Sequence, residues 1–144
     1  MDTSNKKDIL VKKRFAVTGV TSAALVMTLA TSGPAQALDA RAVCATAGAL
    51  GDVIVFNYEG ATSTIVLELG VTDTDRDGHH ARVRLITKNV SGTVKRWTWR
   101  ANTEAMTSLR WRTVAHEDSG IFEVGVQVAR FEKDELLNSC IDWA

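Results

Sequence analysis

Between residues 73 and 78 the sequence reads Asp73-Thr74-Asp75-Arg76-Asp77-Gly78, three alternating carboxylates ahead of a glycine. Calcium is a hard cation that takes several oxygen ligands, and alternating carboxylates around a glycine-permitted bend can supply them. The second half of such a loop departs from the pattern: Arg84 stands where a bidentate Glu would close the shell, and Ala81 and His80 precede it. Asp-Gly is also a favoured turn pair on conformational grounds alone. The segment therefore reads first as a charged hairpin turn between two strands, and second as a weak calcium site formed by Asp73, Asp75 and Asp77. His79 and His80 do not extend it to a transition metal, because adjacent side chains on a strand point to opposite faces. His116 is remote in sequence, and no cofactor other than this weak calcium site is expected.

The other residues with chemical potential are aromatic. In Lys95-Arg96-Trp97-Thr98-Trp99-Arg100, strand alternation puts Trp97 and Trp99 on one face and Arg96 and Arg100 on the other. In Leu109-Arg110-Trp111-Arg112 the same rule opposes Trp111 to Arg110 and Arg112. If the two strands pair through the 102–107 loop, the three indoles cluster. Alternation against charge is the pattern of core-facing aromatics. Exposed, the same rings would make a sugar-stacking platform, and Arg96, Arg100, Arg110 and Arg112 a basic patch for an anionic envelope polymer.

Covalent catalysis finds little to build on. Ser91, Ser108 and Ser119 lie in polar surroundings without a Gly-x-Ser-x-Gly elbow. His116-Glu117-Asp118 sets a base beside acids, but neighbours in a turn are not an oriented triad. No glycine-rich phosphate cradle occurs.

The elements that must position these residues are strands. Period-two alternation rich in β-branched and aromatic residues runs through 53–58, 64–71, 82–88, 93–101, 108–116, 121–131 and 140–143, cut by polar turns such as Asn89-Val90-Ser91-Gly92. That makes about seven strands. Asp39 to Thr46 and Glu132 to Asn138 are short helix candidates. One apolar face per strand implies an all-β, antiparallel, immunoglobulin-like β-sandwich, with a small antiparallel barrel as the alternative.

Residues 1–37 read as a secretory signal peptide. Lys6, Lys7, Lys12, Lys13 and Arg14 precede an uncharged apolar run, and Ala35-Gln36-Ala37 presents small residues for cleavage. The run is too short to favour a membrane span. Residues 38–144 then form one secreted, extracellular β domain. Removing the basic leader leaves that domain mildly acidic, although the whole chain balances 17 Lys and Arg against 17 Asp and Glu. Nothing in this charge pattern draws it to nucleic acid. The chain has two cysteines, Cys44 and Cys140, and an even count in an exported protein predicts one disulfide.

Ser139-Cys140-Ile141-Asp142-Trp143-Ala144, with Phe56-Asn57-Tyr58-Glu59-Gly60, Cys44 and the export signal, resembles the small secreted actinomycete proteins of the spore-associated protein A type. Those proteins continue with Gly where this sequence has Ala144, and the Asp-rich loop is not among their features. The resemblance implies secretion and association with a cell or spore surface, and it carries over no catalytic residue. The expectation is a non-enzymatic surface or interaction protein whose partner is an envelope or spore-surface component, protein or glycan. A carbohydrate-binding module using Trp97, Trp99 and Trp111 is the second reading, and a small hydrolase or hydrolase inhibitor the third.

Overall fold

The computed structural model describes residues 40–144. The expected signal peptide lies outside the described residues. The described chain is all-β: β1 (Arg41–Thr46), β2 (Ala49–Asn57), β3 (Ile65–Asp73), β4 (His80–Lys88), β5 (Val94–Arg96), β6 (Arg100–Asn102), β7 (Ser108–Ala115), β8 (Glu123–Glu132) and β9 (Glu135–Trp143). One sheet has the order β1-β2-β3-β7, and the other β5-β4-β8-β9 with β6 also on β4. Every pairing is antiparallel. Strand β7 returns to β3, and β8 lies between β4 and β9, the connectivity of an immunoglobulin-like sandwich.

Alternation explains the core. Val53, Val55, Ile65, Leu67, Leu69 and Val71 of the first sheet meet Val83, Leu85, Val124, Val126 and Val128 of the second, all buried. Strand β8 is buried on both faces, because aromatic and cationic side chains cover its outward side. Arg82 lies over Phe131 at 4.2 Å, Arg84 over Trp99 at 4.2 Å, and Lys88 over Trp143 at 4.3 Å. Gly125 permits this cover, since a Cβ there would meet the Trp143 ring at 2.7 Å.

Neither helix candidate is helical. Residues 41–46 are edge strand β1, paired along its length with β2, and residues 135–138 belong to edge strand β9. A register shift in β9 opposite Arg130 and Phe131 leaves Leu136 and Leu137 both exposed, which hides the two-residue period. With β1 added, the last strand lengthened to β9, and 94–102 split in two, the strands number nine rather than seven.

Cys44 and Cys140 are disulfide-bonded, with Cα atoms 5.9 Å apart and a sequence separation of 96. The bond joins β1, the edge of one sheet, to β9, the edge of the other. The Val43 N–H donates to Asp142 Oδ2 at 2.9 Å, and the Thr46 hydroxyl donates to Asn138 Oδ1 at 3.0 Å. One long side of the sandwich is thus stitched shut.

Candidate functional site

The opposite side of the sandwich, between β7 and β5–β6, is where sequence-predicted residues gather. A register irregularity shapes it. Arg96 pairs with Ile86 and Arg100 with Val83, so this chain advances four residues while β4 advances three. The extra residue reverses the facing of everything after it. Trp97 points inward onto the core, and its indole N–H donates to the Thr87 hydroxyl at 3.2 Å. Trp99 lies on the outer face, edge-on to Phe131 at 5.4 Å. The expected single face for Trp97 and Trp99 does not form.

Trp111 comes to this side from β7, where it pairs with Leu69 and packs, half-buried, against the core. The expected pairing through the 102–107 loop is absent: β6 and β7 belong to different sheets, and the loop crosses between them. What results is an open cleft of about 420 Å³, bounded by Leu69, Leu85, Trp97, Arg100, Thr113 and Val114. Arg100 enters from the side that holds Trp97, its guanidinium 5.7 Å from the centre of the Trp111 ring. Among the described residues Arg100 has no carboxylate partner within salt-bridge distance.

Both ends of the cleft are pinned. At one, Asn102 is wholly buried; its amide donates to the Thr107 carbonyl at 2.7 Å, and its carbonyl accepts from Glu104 N–H and the Thr107 hydroxyl. Nothing in the sequence singles out Asn102, because a polar Asn ahead of Thr-Glu signals only a turn. At the other end, Lys95 sits 4.3 Å over the Trp97 ring and 3.4 Å from Glu117, whose buried carboxylate also accepts from Thr87 at 2.8 Å.

The four arginines do not form one patch. Arg96 is exposed on the outer face of the second sheet, and Arg100 is in the cleft. Arg110 and Arg112 are on the outer face of the first sheet. Arg110 bridges Glu68 at 2.8 Å and Asp52 at 3.1 Å, and these partners, chiefly the Glu68 hydrogen bond, raise its pKa. Arg112 lies over Phe56 at 4.9 Å. On the far face, burial first and Arg96 second lower the pKa of Arg84. The bulge and the separation of the strands into two sheets account for this dispersal.

Nor do the three aspartates converge. The 74–79 segment is a crossing from β3 to β4 in the other sheet, not a hairpin turn. Asp73 is buried and accepts from Asp75 N–H at 3.1 Å. Asp77 is turned toward Arg130 and accepts from His79 N–H at 2.9 Å. No group of three or more acidic, His or Cys side chains able to hold a metal ion occurs among the described residues. His116 and Asp118 pair at 3.4 Å, both well exposed. Ser91 bonds to Asn89, and Ser108 to Thr72, rather than to a histidine.

No family model, no curated protein and no solved structure matches this chain.

The residues behind the suggested resemblance are fastenings in this fold. Cys140 forms the disulfide and Trp143 covers Gly125. The Tyr58 hydroxyl donates to the Ile121 carbonyl at 2.8 Å, and the Asn57 side chain accepts from Val66 N–H at 2.7 Å.

Proposed function

We propose that this chain is a secreted, non-enzymatic, surface-associated module that binds a glycan of a cell or spore envelope through the cleft between β7 and β5–β6. The observation that carries this reading is the asymmetry of the sandwich. One long side is covalently sealed, while the other presents an open cleft of about 420 Å³ walled by Trp97 and Arg100, with Trp111 packed behind the Arg100 guanidinium. The Trp97 N–H is satisfied internally by Thr87 and Lys95 lies over the ring, so the indole offers the cleft an apolar wall. An aromatic wall with a few fixed polar groups is the usual composition of a small-ligand site. Of the three tryptophans expected to stack on sugar, Trp97 lines the cleft, Trp111 backs it beneath Arg100, and Trp99 serves the outer face instead.

The resemblance to spore-associated proteins supports the surface setting, and the disulfide is compatible with export. The mature domain should co-sediment with insoluble envelope polysaccharide from the producing cell. Combined Trp97→Ala and Trp111→Ala should abolish this while the Cys44–Cys140 bond still forms. Full retention by the double variant would move the contact elsewhere on the molecule. A wild-type domain that stays in the supernatant would refute the glycan reading.

A further inference from the structure

We infer that the cleft selects acidic glycans, with Arg100 as the residue that recognises the anionic group of a sugar seated against Trp97. This rests on the glycan reading above and narrows it to a ligand class. Arg100 is half-buried, and its cleft neighbours Leu69, Leu85, Trp97, Thr113 and Val114 bring no negative charge. Four guanidiniums here are answered by carboxylates, Arg41 by Asp52, Arg82 by Asp134, Arg110 by Glu68 and Asp52, and Arg130 by Asp77. Of the half-buried ones that are not, Arg84 is held by Gln127 and Trp99, while Arg100 faces the cleft. In the cleft the charge is answered only by the face of Trp111, at a distance typical of a weak cation–π contact. A guanidinium so placed keeps its planar fork of donors for an incoming carboxylate or phosphate, which it can grip through two parallel hydrogen bonds.

The layout also gives a direction along the cleft. Arg100 pairs opposite Val83 and Lys95 opposite Thr87, four residues of β4 apart, or about 13 Å at the rise of a strand. Lys95 is already neutralised by the buried Glu117. The cleft therefore has one unanswered cation at one end and a closed ion pair at the other. A sugar chain would lie with an acidic residue at Arg100 and a neutral or hydroxyl-rich portion toward Trp97 and Lys95. Arg112, equally cationic but on the outer face of the first sheet over Phe56, is the natural control.

The test uses the folded domain and intrinsic tryptophan fluorescence. Tetragalacturonate is titrated against its fully methyl-esterified form, which keeps the rings and removes the charge. Phosphatidylglycerol vesicles supply charge without sugar rings. Saturable quenching by tetragalacturonate, weaker for the ester by about tenfold or more, is expected from one charge-assisted contact. Arg100→Gln should erase that difference without affecting binding of the ester, and Arg112→Gln should change neither. Equal affinity for acid and ester would overturn the selectivity while leaving the glycan reading standing. Vesicles that match the oligosaccharide would show charge attraction alone and overturn it too. Failure of both oligosaccharides, beside tryptophan-dependent sedimentation with the envelope polysaccharide, would also overturn the inference without touching that reading.

Discussion

The two long sides of this sandwich solve the same problem differently. Both are places where the inner faces of two sheets reach the edge and would expose apolar surface. On the β1/β9 side the gap is closed by the Cys44–Cys140 bond and by side-chain bonds from Asp142 and Asn138. On the β7/β5–β6 side no hydrogen bond or ion pair joins the strands themselves among the described residues, and the pins lie at the ends, at Asn102 and Glu117. The middle is filled by half-buried indoles and one arginine. Folding alone gives no reason to leave that side open, because the sequence already holds the means to close an edge. That concave surface, with its aromatic wall and its arginine, is what the proposed glycan binding rests on.

The largest effect should come from unsealing the closed side. Cys140→Ser removes a link across 96 residues and should cost about 2–5 kcal/mol in urea denaturation, chiefly through the freer unfolded chain. Glycan binding by the fraction that remains folded should be retained, since the cleft lies on the other side. Loss of binding in the folded fraction would show that the two sides are coupled and that the contrast is overdrawn.

A smaller loss, about 1–2 kcal/mol, is expected for Asn102→Ala, which empties a buried site and removes the hydrogen bonds that the half-buried Thr107 and exposed Glu104 make to it. Unlike the disulfide variant, it should weaken ligand binding as well as stability, because the crossing loop it braces sets the spacing of β6 and β7. An Asn102→Ala protein with unaltered affinity would mean that the cleft is held by the sheets and not by its end pin.

How far the sequence discloses this arrangement follows the same divide. Alternation reveals the interior strands, and the cysteine count reveals the sealed side, because both depend on residue type and period. The edges are less legible. Strand β1 is short and alanine-containing, and Leu136-Leu137 breaks the period of β9 at a register shift, so both resemble helical turns. The cleft is harder still. It depends on one extra residue near Thr98, which no local pattern marks and which sends Trp97 inward, Trp99 outward and Arg100 to the side of Trp97. The Asp-Gly turn at 77–78 reads as a hairpin because the chemistry of a tight turn is the same whether the chain returns to its own sheet or crosses to the other. Asn102 is legible as a turn residue, but its burial is a property of the loop folding back over it.

The smallest predicted effect is a pH dependence belonging to the sealed half. His80 Nε2 accepts from Arg82 Nε at 2.9 Å, and Arg82 in turn donates to the Lys133 carbonyl at 2.6 Å and to Asp134, holding the turn between β8 and β9. Burial, and next the Arg82 charge, lower the His80 pKa; His79 adds to this, while Asp134 and Asp73 oppose it. A protonated His80 also could not accept the Arg82 hydrogen bond. Between the folded pKa and the ordinary histidine value of about 6.5, the unfolded chain binds more protons than the folded one, so stability rises with pH. The contribution is fully present above that ordinary value and is lost as pH falls through the folded pKa. Urea midpoints should therefore fall on acidification from about pH 7.5 to about pH 5, with faster amide exchange at Lys133 and Asp134 and unchanged exchange in β7. His80→Gln should remove this part of the slope. An identical slope in His80→Gln would place the titrating group elsewhere. Faster exchange in β7 instead would make the open side, rather than the sealed one, the first to yield to acid.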